Sequence, residues 1–69
     1  MPGPAEPVTI KKYPNWRLYR PAAGRYVTLE DLAFMVEDDE DFVVYDAKTG
    51  ADVTPSILRQ IIFERAKHG

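Results

Sequence analysis

The chain of 69 residues contains no cysteine and a single histidine, His68. These two scarcities exclude disulfides and any Cys/His zinc site. Its four glycines stand apart from one another, so there is no glycine-rich loop to cradle a phosphate. No segment approaches the roughly 18 apolar residues that span a membrane, and the first residues lack a secretory signal pattern. We therefore expect a cytoplasmic protein with no metal, no cofactor and no membrane partner.

Catalytic chemistry has little support in this sequence. A nucleophile needs a base close to it, and His68 lies one residue from the end of the chain, where fraying is expected. Residues 37–41 are five consecutive acids, whereas calcium loops place their ligands at alternate positions around a glycine. We interpret this run as a solvated loop. No catalytic residue is assigned, and we do not expect an enzyme.

The small size of the chain favours association with a partner. A domain of this length buries only about 60% of the surface that its unfolded chain exposes, and this chain has no covalent or metal staple. We therefore expect a homo-oligomer. The candidate interface residues are Trp16, Phe34 and Met35. Phe34 and Met35 lie outside the predicted apolar stripe of their helix, Trp16 belongs to the aromatic segment, and exposed apolar patches often mark contacts.

The charges are strongly segregated along the chain although the formal net charge is only −2. Residues 7–29 carry five bases and no acid, and residues 30–46 carry eight acids and no base. The basic residues are Lys11, Lys12, Arg17, Arg20 and Arg25. This asymmetry fits a polyanion partner for the first block. Mutual neutralisation of the two blocks within the fold is the alternative, and charge alone does not separate the two.

The hydrophobic patterns predict an α+β domain in the order β-β-β-α-β-β-α. Alternation over residues 8–13 and 16–19 indicates two strands, although Pro14-Asn15 between them favours turns that splay a hairpin. Short strands are predicted at residues 25–27, 42–45 and 51–53, the last two joined by a turn in which Gly50 supplies a positive φ. The result is a small single domain of short antiparallel strands and two helices.

Two helices follow from capping signals and apolar spacing. Thr28 is a good N-cap, and Leu29, Leu32, Ala33 and Val36 form one apolar stripe behind it. Thr54 is the predicted N-cap of the second helix, followed by Pro55 at the first helical position. Its predicted buried stripe consists of Ile57, Leu58, Ile61 and Ile62.

The basic segment also carries aromatic residues at strand spacing. In an extended strand or a bent one, Lys11, Tyr13, Arg17 and Tyr19 share one surface. Lysine and arginine neutralise phosphates, arginine also reads guanine, and asparagine reads adenine. The alternative is that the aromatic residues, Trp16 above all, belong to the core or an oligomer contact and the cations are their solvated neighbours.

Several motifs in this region and beyond it occur together in a known family. They are IKKYPN at 10–15, RLY at 17–19, YVTLEDL at 26–32, DAKTG at 46–50 and SILRQII at 56–62. In order and spacing they cover about residues 9–66. The chain resembles the N-terminal DNA-binding domain of the polyhydroxyalkanoate (PHA) synthesis repressors, which are also called PHA or PHB accumulation regulators.

The resemblance implies a repressor that binds promoter DNA of genes for phasins, the proteins of storage-polymer granules. It also implies a C-terminal region that associates with the polyester, which we expect to be absent from this chain. Residues 1–8 are predicted to be a disordered lead-in and residues 9–67 the DNA-binding domain. The chain departs from the family pattern at Trp16, where a second arginine is common, at Arg20-Pro21, where Asp-Thr is common, and at Asp38-Asp39, where a glycine is common.

The chemistry of the side chains suggests which part of the DNA each residue contacts. Lys11, Lys12 and Arg20 are expected to contact phosphates, with Arg25 as a weaker candidate. Arg17 and Asn15 are the candidates for base contacts, and Tyr13 and Tyr19 are expected to pack against backbone or sugar. Two alternatives stay open: a protein-interaction or oligomerisation module, and direct binding of the storage polyester through the same aromatic residues.

Overall fold

The computed structural model describes residues 6–68, which form one mixed sheet and two helices. The elements are β1 (Val8–Tyr13), a 3-10 turn (Pro14–Trp16), β2 (Arg17–Arg20), β3 (Arg25–Val27), α1 (Leu29–Glu37), β4 (Phe42–Asp46) and α2 (Thr54–His68). The α+β class is confirmed. Most of the predicted lead-in, residues 1–8, falls outside the described residues, and Val8 already belongs to β1.

The sheet has the strand order β3-β2-β1-β4. β1 pairs with β2, and β2 with β3, in antiparallel fashion, whereas β4 lies parallel to β1. A parallel neighbour requires a long crossover, which here contains β2, β3 and α1. The predicted strand at residues 51–53 is reduced to one bridge between Tyr45 and Asp52. The order of elements otherwise agrees with the sequence prediction.

A true hairpin joins β1 and β2, and its turn resolves the doubt raised by Pro14-Asn15. Asn15 has φ 65° and Trp16 has φ 60°, so two consecutive residues lie in the left-handed region. Successive positive φ values give the turn a twist that matches a right-handed strand pair. Asparagine tolerates this conformation, whereas a bulky residue such as Trp16 adopts it rarely. The turn therefore forms at some conformational cost.

α1 begins as its sequence predicts. The Thr28 hydroxyl accepts a hydrogen bond from the Asp31 amide at 3.0 Å, and the Asp31 carboxylate accepts one from the Thr28 amide at 2.9 Å. This reciprocal capping box satisfies two amides that the first turn leaves unpaired. Glu30 and Asp31 also place negative charge at the positive end of the helix dipole. Thr28 is thus confirmed as the N-cap.

The acidic run ends α1 in a defined way. Asp39 has φ 56°, its amide donates to the Val36 carbonyl at 3.2 Å, and the Glu40 amide donates to the Met35 carbonyl at 2.9 Å. This pair of bonds is the Schellman closure, in which the left-handed position is usually glycine. Aspartate fills it here at a conformational cost that glycine would avoid.

We expect Asp39→Gly to raise the free energy of unfolding by about 1 kcal/mol. The change removes left-handed strain and also an acid from the negative end of the helix dipole, and these gains outweigh the extra freedom of glycine in the unfolded chain. Thermal unfolding measures the effect, and 1 kcal/mol corresponds to a rise of roughly 4–8 °C for a domain of this size. Asp38→Gly is the matched control, because Asp38 has φ −88°. An equal gain in both variants would contradict the explanation.

α2 is anchored to β4 through Thr54. The Ile57 amide donates to the Val53 carbonyl at 3.1 Å, so Thr54 is the first helical residue and not the predicted N-cap. Its hydroxyl instead accepts a hydrogen bond from the Val44 amide at 2.8 Å. The Asp52 carboxylate accepts a hydrogen bond from the Thr54 amide at 2.9 Å. The Thr54 side chain, and after it this amide, lowers the pKa of Asp52 below its ordinary value of 3.8.

The core lies between one face of the sheet and the two helices. Its buried residues are Ile10, Leu18, Val27, Leu32, Ala33, Met35, Val44, Ile57 and Ile61. The buried stripes of both helices differ from the prediction. On α1, Met35 is buried in place of Val36, and on α2 only Ile57 and Ile61 of the four predicted residues are buried. No helix within residues 6–68 is long and apolar enough to cross a membrane.

Candidate nucleic-acid interface

The sheet has one face that neither helix covers. The core residues of the four strands all point toward α1 and α2, so the alternate positions of each strand point the other way. We call this second surface the open face. Its residues are Thr9, Lys11, Tyr13, Arg17, Tyr19, Tyr26, Val43 and Tyr45. These positions hold two cations and four tyrosines and no carboxylate.

One row of the open face runs across all four strands. In register, Tyr26 lies opposite Tyr19, Tyr19 opposite Lys11, and Lys11 opposite Tyr45. The rings of Tyr19 and Tyr26 meet edge to face, with centroids 5.1 Å apart and planes at 67°. Aromatic pairs favour this geometry, so the two rings are held in defined positions. The row places Lys11 between a tyrosine on each neighbouring strand.

A second contact fixes Arg17 on the same face. The guanidinium carbon of Arg17 lies 4.9 Å from the centroid of the Tyr26 ring. Tyr13 is its cross-strand neighbour on β1. A guanidinium over an aromatic ring gains a cation–π attraction, which narrows its conformational freedom while leaving its hydrogen-bond donors available. Arg17 is therefore exposed but oriented.

The predicted grouping of Lys11, Tyr13, Arg17 and Tyr19 on one surface is therefore present in the fold. Lys12 points to the opposite side of the sheet, because successive side chains of β1 alternate between its two faces. Its ammonium lies 4.9 Å from the centroid of the Trp16 ring, and its strand neighbour on β4 is Asp46.

Asp46 is mainly a turn residue. Its carboxylate accepts the amides of Lys48 at 2.8 Å and Thr49 at 3.0 Å. These hydrogen bonds, and to a lesser degree the nearby charge of Lys12, hold the pKa of Asp46 below its ordinary value of 3.8. The positive φ that was predicted for Gly50 is present at 78°. Together these features fix the turn that leads from β4 toward α2.

The other predicted DNA-contacting residues lie at the margins of the open face or behind it. Asn15 is exposed in the β1–β2 turn, beyond the strand ends. Arg20 and Arg25 face each other on β2 and β3, on the side of the sheet that the helices occupy. The structure thus brings Lys11 and Arg17 together and places Lys12, Arg20 and Arg25 elsewhere.

The three candidate interface residues have different environments. Trp16 and Phe34 are 50% and 52% exposed, and both remain available for contacts. Met35 is only 8% exposed and belongs to the core, so the structure corrects its assignment to an interface. It lies three residues after Leu32 and thus on the same side of α1. Sequence spacing had assigned that side to Val36, which is instead 45% exposed at the end of the helix.

Tyr26 and Tyr45 are residues of this surface that sequence reasoning did not select. Tyr26 precedes the buried Val27 on β3, so alternation alone could have turned it outward. Its contact with Arg17 depends on the β2–β3 register. Tyr45 reaches the open face only because β4 pairs in parallel with β1. No local signal in the sequence predicts that pairing.

The described residues hold no cluster of His, Cys, Asp or Glu that could bind a metal.

The described geometry defines a two-layer α+β domain with a cationic and aromatic sheet face, and aromatic sheet faces are one means by which some domains bind nucleic acids. A family model described as the PHB/PHA accumulation regulator DNA-binding domain matches residues 9–69. The chain belongs to this family of DNA-binding domains.

Two curated proteins are similar to this chain in sequence. One is an uncharacterized protein of the phbA 5′ region of Thiocystis violacea, 47% identical over 60 residues that cover 87% of this chain and 44% of the relative. The other is an uncharacterized protein of Allochromatium vinosum, 45% identical over 60 residues that cover 87% of this chain and 39% of the relative. The chain thus spans less than half the length of these relatives. A search of solved structures finds no match.

Proposed function

We propose that the open face is the surface that contacts double-stranded DNA. The observation that carries this proposal is the grouping of Lys11 and Arg17 with four tyrosines on a sheet face whose positions include no carboxylate. Phosphates attract cations and repel carboxylates, and sheets and ribbons are recognised means of reading a groove. The acids of residues 30–46 lie on α1, on its following loop and at the end of β4, outside this face.

The two cations and two of the tyrosines of the open face have proposed roles that follow from their chemistry. Lys11 stands in the centre of the tyrosine row and contacts a phosphate. Arg17 is oriented by Tyr26 and contacts the edge of a guanine, for which its planar fork of donors is suited. Tyr13 and Tyr19 pack against sugar and backbone. Asn15, in the turn beyond the strands, is the second candidate for a base contact.

The biological setting is part of the same proposal. We infer that this domain represses transcription from promoters of PHA-granule genes, those of phasins included, in the bacterial cytoplasm. A homo-oligomer is the proposed active form, with Trp16 and Phe34 as candidate contacts because both are exposed. Binding of the storage polyester is proposed for the whole protein, since the chain spans less than half of its curated relatives.

The two adjacent lysines test the position of the DNA. Lys11 lies on the open face, and Lys12 lies on the other side of the sheet beside Trp16. We expect Lys11→Ala to weaken binding to all DNA sequences and to reduce the slope of log K against log salt by about 0.9, the value for one lost phosphate contact. Lys12→Ala, the matched control, leaves that slope close to the wild-type value.

The measurement uses DNA from upstream of a phasin gene and a scrambled duplex, each at several salt concentrations. Preferential, salt-sensitive binding to the promoter is the expected result, and the stoichiometry of the complex reports the oligomeric state. Equal weak binding to both duplexes would mean that specificity requires more of the protein or a higher oligomer. A lower slope for Lys12→Ala with an unchanged slope for Lys11→Ala would place the DNA on the other side of the sheet.

A further inference from the structure

Two arginines face each other directly on the helix side of the sheet. Arg20 is the last residue of β2, and Arg25, its partner in register, is the first residue of β3. Like charges at directly opposed positions of an antiparallel pair repel each other and destabilise the sheet. The loop between them contributes no acid, because residues 21–24 are Pro, Ala, Ala and Gly. This pair therefore has a cost that the local sequence does not relieve.

Arg20 is also incompletely satisfied by the rest of the domain. It is half-buried, and its Nε is fully buried without a hydrogen-bond partner among residues 6–68. The ion pair found within the same residues joins Arg65 to Glu37, across the two helices, and involves neither Arg20 nor Arg25. A buried donor of a charged group normally has an acceptor, and its absence calls for an explanation.

The mutual repulsion and the uncompensated charge of Arg20 have one common remedy. An oxyanion bound by the outer nitrogens of the two guanidinium groups would neutralise the like charges without reaching the buried Nε. Arginine suits tetrahedral oxyanions in particular, because its planar fork donates two parallel hydrogen bonds to adjacent oxygens. From these observations we propose that Arg20 and Arg25 form a binding site for a phosphate group, separate from the open face.

Two sources of that phosphate share the same chemistry. One is the backbone of DNA, in which case the inference rests on the proposed function: β2 then presents Arg17 to the DNA on one side and Arg20 to a flanking phosphate on the other. The second source is free inorganic phosphate. The two sources have different effects on DNA binding. Only a phosphate of the DNA backbone would make the Arg20–Arg25 site contribute to the salt dependence of DNA affinity.

The first experiment titrates the domain with inorganic phosphate at constant ionic strength, with sodium chloride as the balancing salt. Arginine Nε–Hε resonances in a ¹H–¹⁵N spectrum report each guanidinium. We expect saturable shifts at Arg20 and Arg25, and in the Arg25→Gln variant the shift at Arg20 should be lost. Arg59→Gln, on the exposed surface of α2, is the control and leaves them intact. Shifts of similar size at all arginines, or equal shifts with chloride alone, would overturn the site.

Thermal unfolding gives an independent readout of the same site. Phosphate should raise the Tm of the wild type more than chloride does at equal ionic strength, because a ligand that binds the folded state stabilises it. The Arg25→Gln variant should have a higher Tm than the wild type without phosphate, since the like-charge pair is gone, and should gain nothing from phosphate. A variant that phosphate still stabilises as much as the wild type would contradict the proposal.

DNA binding then identifies the source. If the phosphate belongs to DNA, Arg25→Gln reduces the slope of log K against log salt by about 0.9, and Arg59→Gln does not. Phosphate shifts with an unchanged slope would retain the site and assign it to free phosphate. The two proposals can also fail separately. An unchanged salt slope in Lys11→Ala would contradict the open face as the DNA surface, whereas the Arg20–Arg25 site is tested independently by the phosphate titration.

Discussion

Ile57→Ala should lower the free energy of unfolding by about 2–5 kcal/mol, which is most or all of the stability of a domain this small. Ile57 is completely buried, and it belongs to the core formed by the sheet and the two helices. Its truncation loses the transfer free energy of the removed methyl groups and leaves a cavity that the surroundings fill only in part. The chain has no disulfide to limit the loss. We therefore expect the variant to be largely unfolded at 37 °C.

The matched control is the same substitution one and a half turns further along the same helix. Ile62 is 68% exposed, so Ile62→Ala removes little buried surface, and the helix propensity of alanine is slightly better than that of isoleucine. We expect its stability to stay within about 0.5 kcal/mol of the wild type. Urea unfolding followed by far-UV circular dichroism measures both variants. Similar losses at the two positions would contradict the placement of α2 on the sheet.

This contrast also marks a limit of the sequence prediction. The spacing of Ile57, Leu58, Ile61 and Ile62 indicates an amphipathic helix but leaves the centre of its buried stripe undetermined by one residue in either direction. The structure selects Ile57 and Ile61, and Leu58 and Ile62 are exposed. The hydrogen bonds of Thr54 to β4 fix the rotation of α2 about its own axis. That tether is a tertiary contact, which the helical pattern does not contain.

Local signals predicted the parts of the fold that local forces determine. The capping box at Thr28 depends on two residues three positions apart, and the positive φ of Gly50 depends on a single tight turn. The pairing of β4 with β1 is different, because it joins segments more than thirty residues apart. Side-chain alternation carries no information on which strand lies beside which. The predicted antiparallel pairing of residues 51–53 with β4 is present only as one bridge, and the parallel pairing with β1, which was not predicted, occupies the other edge of β4.

The candidate site was predictable to the same extent. Alternation within β1 and β2 was enough to place Lys11, Tyr13, Arg17 and Tyr19 on one surface, and it equally implied that Lys12 and Arg20 point to the other. The assignment of Lys11, Lys12 and Arg20 to phosphates, with Arg25 as a weaker candidate, followed their charge and not the direction of each side chain. Tyr26 was missed because its contact with Arg17 crosses from one strand to the next, and that contact depends on register.

Arg17→Ala should reduce discrimination between promoter and scrambled DNA by about 1–3 kcal/mol, or roughly 5- to 150-fold, if Arg17 reads a base from the open face. Arg17→Lys should recover the salt dependence but little of the discrimination, because lysine retains the charge and lacks the planar fork. Competition binding against the two duplexes at several salt concentrations measures both effects, with the discrimination compared at one common concentration. Equal losses of affinity on both duplexes would reassign Arg17 to a phosphate contact.

Tyr26 provides the finer test, because it acts on DNA through Arg17. Its ring lies 4.9 Å from the Arg17 guanidinium carbon and 5.1 Å from the Tyr19 ring, while its hydroxyl takes part in neither contact. Tyr26→Phe should therefore bind like the wild type. Tyr26→Leu keeps an apolar side chain but removes the cation–π attraction, which is worth about 0.5–1 kcal/mol at an exposed site. Tyr26→Leu should lower promoter discrimination about two- to fivefold with an unchanged salt slope.

The double variant separates positioning from direct contact. In an Arg17→Ala background, Tyr26→Leu should cause no further loss of discrimination, because the guanidinium that the ring positions is absent. A full Tyr26→Leu effect in that background would instead mean that the ring contacts the DNA itself.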